Sequence, residues 1–361
     1  MTTVLSTGYR PQLDSLRALA AFGVFMQHFL DEGNLFRTTI PIGDLGVRLF
    51  FVLSGFLITG LLLDGREQVE TFRRPNPTLF RHFYVRRFLR LTPIYYLTLL
   101  LLFVFSSTNS SQLGWFFAYL QNIHFALNNE FTIADHFWTL AVEEQFYLFW
   151  PFVILFVPRT YLFSVVLVAV IIGPLFRLLC LTIGLTHFQG SMLMPAHLDT
   201  LGIGALLTIL SRQVEIDKFQ LQRILLISSS TGLLLLSSVL ISKVLDAPSS
   251  IEFVLGELGA GLLFVWIIGK AAEGFMGPIG FVLNQPTLIY LGRISYGMYV
   301  IHLFVPDLLN GIGMMSLLPH IVNHDEWIRL FLFSGVSILL AMVSWHLLEK
   351  PINNLKRYYP M

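Results

Sequence analysis

The sequence predicts an all-α protein that crosses the membrane about ten times. Hydrophobic residues make up 55% of the chain and charged residues only 12%, and the mean hydropathy is +0.70. Because a soluble domain carries about 25% charged residues, these charges are too few to cover a water-exposed surface. The apolar residues also fall into runs close to the roughly 20 residues that a membrane-spanning helix needs.

Ten apolar runs predict the individual spans. The sixth run is short. The stretch 112–127, QLGWFFAYLQNIHFAL, is too short and too aromatic for a span, and we expect an interfacial or re-entrant segment there. The predicted spans are 15–31, 45–63, 91–107, 138–157, 160–183, 197–211, 224–243, 251–269, 288–308 and 328–348.

The basic residues predict that both termini are cytoplasmic, since cytoplasmic loops carry an excess of Lys and Arg. With the N-terminus inside, 17 of the 23 basic residues fall on the inner side, and the loop at 64–90 carries many of them, including Arg74. The inner residues are Arg10, Arg17, Arg66, Arg73, Arg74, Arg81, Arg86, Arg87, Arg90, Arg159, Arg212, Lys218, Arg223, Lys270, Lys350, Lys356 and Arg357.

The remaining composition narrows the class of protein further. A net charge of +1 gives no reason to expect a nucleic-acid partner. The single cysteine, Cys180, excludes an intrachain disulfide and argues against a cysteine metal site, so no metal is predicted. The first apolar run lacks a cleavage site and should remain as a membrane anchor. Residues 1–361 are predicted to form one membrane domain, and the sequence leaves the oligomeric state open.

Two polar residues flank the first apolar run. Arg17 and His28 lie eleven positions apart, or roughly 16 Å along a helix. A titratable side chain inside a spanning helix indicates a functional site. The competing interpretation is that Arg17 is a flanking charge and that His28 bonds a neighbouring helix.

The fourth span contains two adjacent carboxylates, Glu143 and Glu144, in HFWTLAVEEQFYLFWP. Carboxylates in a span are costly and need partners in the protein interior. The span runs from outside to inside, so these residues and His28 lie in the same half of the membrane. We expect one glutamate to orient His28 as a general base, and a structural ion pair is the alternative.

Three arginines, Arg86, Arg87 and Arg90, precede the third span in RRFLRLTPIYY. The planar guanidinium group suits phosphate oxygens better than an ammonium group does. This cluster therefore predicts a binding site for a phosphate-rich cytosolic donor. The alternative is an ordinary positive flank that touches lipid phosphates.

Other motifs are weaker. Gly55 favours close helix packing, and the neighbouring Ser54 offers a hydroxyl to a buried substrate. Tyr296 lies at the inner end of the ninth span, and His302 further along is most simply a helix contact. Glu349 and the lysine after it are most simply a solvated membrane edge.

Taken together, these motifs resemble the acyltransferase-3 family of bacterial membrane O-acyltransferases. The resemblance rests on the order YRPQLDSLRALAAFGVFMQHF, GVRLFFVLSGFLITG, RRFLRLTPIYY, HFWTLAVEEQFYLFWP, LDTLGIGALL, GRISYGMYVIH and LEKP. The spacing of Arg17 and His28 matches the Arg-x10-His signature of that family. Two positions depart from the family pattern: Arg48 replaces a common acidic residue, and His197 replaces a common arginine.

The resemblance implies a multi-pass enzyme of the bacterial inner membrane that takes an acyl group, most simply acetyl, from cytoplasmic acyl-CoA. The acceptor would be a hydroxyl of a surface or exported glycan. His28 would take the hydroxyl proton, or help to move the acyl group across the bilayer, with Glu143 or Glu144 orienting it. The donor would be held by Arg17, Arg86, Arg87 and Arg90, with Ser54 and Tyr296 as further candidates.

Two other functions fit an intramembrane charge cluster. A glycan transporter or exporter predicts paired broken helices and no need for cytoplasmic phosphate binding, and neither feature favours it here. An inactive scaffold leaves His28 and the two glutamates without a role.

Overall fold

The computed structural model describes residues 9–38, 40–72, 76–105, 110–213, 216–314 and 325–360. Every regular element in these ranges is helical, as the composition predicts. Seventeen α-helices follow one another along the described residues, joined by short turns and single 3₁₀ or π turns. They are α1 Pro11–Phe29, α2 Leu35–Thr38, α3 Ile42–Phe72, α4 Asn76–Phe105, α5 Ser110–Phe117, α6 Gln121–Asn128, α7 Trp138–Phe156, α8 Arg159–Thr182, α9 His187–Met192, α10 Leu198–Leu210, α11 Lys218–Val244, α12 Ser250–Glu273, α13 Gly277–Leu283, α14 Pro286–Ile301, α15 Val305–Gly311, α16 Glu326–Ser344 and α17 Lys350–Asn353.

Within the described ranges, eight helical segments are long and apolar enough to cross a membrane. They coincide with the predicted spans other than the first and the sixth. Those two correspond to α1, which has 19 residues and carries charges in its first two turns, and to the shorter apolar helix Met194–Leu210. The count of ten crossings therefore stays a prediction.

Several predicted boundaries differ from the observed ones. Helix α4 begins at Asn76 rather than at residue 91, because the arginine-rich stretch continues the helix and Pro93 lies inside it without ending it. The stretch predicted as interfacial forms α5 and α6, two helices of eight residues each, and both are too short to span a bilayer. A residue in the left-handed conformation, Tyr119 with φ 52°, lies in the turn between them.

Polar side chains cap the first turns of several helices. The Asp217 side chain accepts a hydrogen bond from the backbone amide of Gln220 at 2.7 Å, which starts α11 with a capping box. The Asp325 side chain accepts a hydrogen bond from the backbone amide of Trp327 at 2.9 Å and caps the start of α16.

Contacts between helix ends show that successive long helices run in opposite directions. At one end, which we call the arginine end, Arg66 donates to the Ile154 carbonyl and Arg212 pairs with Asp64, each at 2.7 Å. At the other end, which we call the histidine end because His28 lies there, Lys243 pairs with Glu252 and Arg329 with Asp31.

Helices α3 and α10 approach each other closely at two glycines. A Cβ atom at Gly55 would overlap the Leu201 carbonyl oxygen, and one at Gly204 would overlap the Val52 carbonyl. The predicted packing role of Gly55 is therefore confirmed, since only a residue without a side chain fits this contact. The two backbones hold α3, which carries Ser54, in a fixed position.

Candidate functional site

A cavity of about 480 Å³ lies at the arginine end of the bundle. It is lined by far more basic than acidic side chains, since Asp14, Asp64 and Glu349 are the acidic members. The structure thus brings the four predicted donor-binding arginines together, with Tyr296 beside them. The basic lining residues are Arg10, Arg17, Arg86, Arg87, Arg90, Arg212, Arg293 and Lys356.

The three arginines of α4 differ in how their charge is satisfied. Arg86 donates to the Tyr359 carbonyl at 3.2 Å, and the Arg87 guanidinium lies 4.7 Å from the centre of the Tyr147 ring. Arg90 forms no hydrogen bond or ion pair with any residue that the structure describes. A half-buried guanidinium without a partner favours binding of an anion.

Arg17 and its neighbours form a small polar network at the rim of the same cavity. Arg17 pairs with Asp14 at 2.7 Å. The Tyr9 hydroxyl donates to the other oxygen of Asp14 at 2.6 Å and accepts a hydrogen bond from Arg293 at 2.9 Å. These contacts orient the Arg17 guanidinium toward the cavity while leaving most of its five donors free.

Sequence reasoning placed Glu349 wrongly. It was expected at a solvated membrane edge, but its side chain is buried, accepts a hydrogen bond from Ser344 at 2.9 Å and lines the basic cavity. A π-helical turn over Trp345–Glu349 explains the difference, because its extra residue rotates the chain relative to an α-helix. Lys350, which follows, is exposed as expected.

A narrower cavity of about 80 Å³ adjoins the basic cavity. The two share Arg17, Arg87, Arg90, Leu57 and Tyr296 as lining residues. The narrow cavity therefore extends the basic one deeper into the bundle.

Two predicted site residues meet in the narrow cavity. The Ser54 hydroxyl donates to Glu143 Oε1 at 2.6 Å, and the Tyr147 hydroxyl donates to Ser54 Oγ at 2.9 Å. Glu144 is not among the residues that line this space. The Tyr296 hydroxyl donates to the Leu91 carbonyl at 3.0 Å, so neither Ser54 nor Tyr296 has its hydroxyl proton free for a bound carbonyl.

His28 lies at the last turn of α1, where it is exposed at the histidine end. Its Nδ1 is 3.0 Å from Nε2 of His302, which is fully buried. A third imidazole, His136, stacks edge-on against His302 with ring centres 4.8 Å apart. Sequence reasoning did not connect these three histidines, although Tyr296, Tyr299 and His302 recur every three residues and so lie on one side of α14 and of the 3₁₀ turn that follows it.

The expected contact between His28 and a glutamate is not formed. In the described part of the chain, no hydrogen bond or ion pair joins His28 to Glu143 or Glu144. The sequence did not reveal how each helix is rotated about its axis. Glu143 points toward Ser54 on α3, whereas His28 points toward His302, in the turn that follows α14.

A contact between Thr139 and Tyr299 separates the narrow cavity from the histidines. Both residues line the cavity, and their hydroxyls lie 2.7 Å apart. The Tyr299 hydroxyl also donates to the His136 carbonyl at 2.8 Å, and the Tyr299 and His302 rings are 5.6 Å apart. The narrow cavity and the histidines thus lie on opposite sides of this contact, which we call the wall.

The two positions that depart from the family pattern meet at one carboxylate near the histidine end. Glu257 pairs with Arg48 at 2.8 Å and lies 3.7 Å from His197 Nδ1, beside a cavity of about 170 Å³. Arg177 and Asp199 form a fully buried ion pair at 2.6 Å nearby. Among the described residues, no group of three or more His, Cys, Asp or Glu side chains is placed to hold a metal ion.

Comparisons with known proteins agree with this picture. The chain matches a family model described as an acyltransferase domain over residues 10–346. A protein of Staphylococcus aureus strain MSSA476, provisionally named as an O-acetyltransferase, is 24% identical over 366 residues, covering 95% of this chain and 57% of that protein. Peptidoglycan O-acetyltransferase OatA of Listeria monocytogenes is 34% identical over 168 residues, covering 42% of this chain and 25% of that protein.

A second Staphylococcus aureus protein, O-acetyltransferase OatA of strain NCTC 8325, is 24% identical over 382 residues, or 96% of this chain and 58% of that protein. Nearly the whole chain is thus matched by the two Staphylococcus aureus proteins, but it spans only a little over half of their length. No solved structure matches it. Because the family model extends over nearly the whole sequence, the chain belongs to the acyltransferase-3 family.

Proposed function

We propose that this protein is a membrane O-acyltransferase that moves an acyl group, most simply acetyl, from acyl-CoA to a hydroxyl of a glycan. The observation that carries the proposal is the basic cavity, which holds the unpartnered Arg90. This cavity continues into the narrow one, and the histidine cluster lies on the far side of the wall formed by Thr139 and Tyr299. The names of the relatives, among them a peptidoglycan O-acetyltransferase, support a glycan acceptor.

The basic cavity suits the nucleotide end of acyl-CoA. That end carries a diphosphate and a further phosphate, and arginine forks bind such groups through paired, charge-assisted hydrogen bonds. The flexible pantetheine arm and its thioester would then extend into the narrow cavity past Ser54 and Glu143. No metal is needed for this binding mode.

The proposed reaction uses His28 as a general base. His28 accepts the proton of the sugar hydroxyl while that oxygen forms a bond to the acyl carbonyl carbon. The C–S bond of the thioester breaks, and the leaving thiolate takes the proton from His28. The acyl end must pass Thr139 and Tyr299 to reach His28, so we propose that these two side chains separate when the donor is bound.

A transfer assay tests the proposed activity. We expect the purified protein in lipid nanodiscs to move label from acetyl-CoA, labelled in the acetyl group, to a glycan oligosaccharide as an alkali-labile ester. Nanodiscs without protein are the control. A glycan exporter would leave the acetyl-CoA intact, and that result would overturn the proposal.

The same proposal fixes the orientation in the bacterial cytoplasmic membrane, with both termini and the arginine end inside. We expect a membrane-impermeant thiol reagent added to intact cells to label Asn310→Cys but not Lys218→Cys, because the basic residues favour the cytoplasmic side. Both positions are exposed, and the buried Cys180 is replaced by Ser as background. Labelling of position 218 from outside would contradict this orientation. Arg74, in the predicted inner loop, lies outside the described residues.

A further inference from the structure

The buried imidazole of His302 has two neighbours that define its protonation. Its Nδ1 lies 2.7 Å from the backbone carbonyl oxygen of Tyr299, and its Nε2 lies 3.0 Å from Nδ1 of His28. A carbonyl oxygen only accepts hydrogen bonds, so Nδ1 of His302 must carry a hydrogen.

The neutral form of His302 then has a bare Nε2, which can only accept. The hydrogen between the two rings must therefore belong to Nδ1 of His28. With its hydrogen on Nδ1, His28 keeps the lone pair of Nε2 free.

Burial keeps His302 neutral. The side chain is completely enclosed, and the imidazoles of His28 and His136 lie against it. The ring of Phe25 covers another side at a centre-to-centre distance of 5.4 Å. A charged imidazolium would lose its water here, which is costly without an anionic partner.

We propose that His302 is a positioning residue that holds His28 in the Nδ1–H tautomer, so that Nε2 of His28 faces the acceptor hydroxyl as the base. This proposal rests on the proposed acyl transfer. It assigns to a neutral histidine the role that a carboxylate has in a Ser-His-Asp triad, where the third residue fixes the tautomer and orientation of the catalytic imidazole.

The same contact also serves the protonated state. When His28 takes the hydroxyl proton on Nε2, the Nδ1–H remains a donor and His302 Nε2 remains its acceptor. The hydrogen bond becomes charge-assisted and therefore stronger. No proton needs to move to His302, whose own hydrogen stays on Nδ1 and is still donated to the Tyr299 carbonyl oxygen.

Two amide variants separate positioning from packing. The amide oxygen that His302→Gln introduces can reach the place of Nε2 and accept from His28, whereas the shorter amide of His302→Asn reaches only the place of Nδ1. We expect His302→Gln to retain kcat within about threefold and His302→Asn to lose about 10²-fold in kcat, a loss within the range that a positioned base contributes. KM for acetyl-CoA should stay unchanged in both, because His302 lies beyond the wall.

Nitrogen-15 NMR of histidine-labelled protein in nanodiscs gives a readout that does not depend on activity. The signals of His28 are assigned by their loss in His28→Gln. We expect a protonated Nδ1 and a bare Nε2 in the wild type and in His302→Gln, and a mixture of tautomers in His302→Asn. Thermal unfolding of each variant shows whether the protein still folds.

Two results would overturn the proposal: a wild-type His28 with its hydrogen on Nε2, or equal loss of kcat in the Gln and Asn variants. If the wild type transfers no acetyl group at all, the proposed function fails, while the NMR measurement still decides which tautomer His302 imposes.

Discussion

Replacing His28 with Ala should reduce acyl transfer to the glycan by about 10²- to 10⁴-fold, which is the contribution typical of a positioned general base. His28→Gln should be nearly as inactive, since Gln keeps hydrogen-bonding capacity but has no basic nitrogen. The measurement is the initial rate of acetyl-ester formation at saturating acetyl-CoA. His28 is exposed at the end of α1, so both variants should insert and fold.

The control for this experiment is His346→Gln. His346 is exposed, its Nδ1 contacts the Met342 carbonyl one turn earlier, and its side chain lines neither the basic nor the narrow cavity. We expect that variant to keep wild-type activity. An active His28→Gln protein would instead show that His28 only ties α1 to the turn after α14, because a hydrogen bond to His302 is all that Gln can preserve.

Replacing Arg90 with Ala should weaken acetyl-CoA binding by roughly 10- to 100-fold. The estimate follows from about 1.5–3 kcal/mol for a hydrogen bond to a charged group and about 1.4 kcal/mol for each factor of ten. Arg90 has no partner among the described residues, so its removal leaves no other buried charge unpaired. Isothermal titration with acetyl-CoA in nanodiscs measures the effect. Arg90→Lys should restore it only in part, because a point charge lacks the planar fork.

Arg81→Ala is the matched control. Arg81 lies on the same helix and carries the same charge, but it is exposed and does not line the basic cavity. If Arg90→Ala and Arg81→Ala bind acetyl-CoA equally well, the arginines of α4 serve lipid headgroups rather than the donor.

The fold class was readable from the sequence because the membrane imposes it. Backbone polar groups must be satisfied within the segment in a bilayer, so long apolar runs become helices. The segments 160–183 and 224–243 lie within α8 and α11, apart from one residue at the end of the first, for this reason. Two segments do not meet the criterion of a long apolar helix that could cross the membrane: α1 is too polar, and Met194–Leu210 is too short.

The sequence predicted the arginine cluster of the site but not the partner of His28, and the difference has a physical cause. Arg86, Arg87 and Arg90 are close in sequence and share one helix, so their convergence on one cavity followed from helical spacing. The pairing of His28 depended on how α1 and α7 are rotated about their axes. That rotation is set by packing against α3 and α14, which the order of residues does not encode locally.

The wall formed by Thr139 and Tyr299 bears on how well the membrane holds back ions. A cavity that enters from one side and a polar cluster that faces the other would together form a leak if they joined. Each unit charge that crosses a potential of 100 mV dissipates about 2.3 kcal/mol, so a permanent opening would drain the energy of the cell. In the proposed reaction, the acyl group of the donor would fill the gap whenever these two side chains separate. Ions would therefore be blocked both with the donor bound and without it.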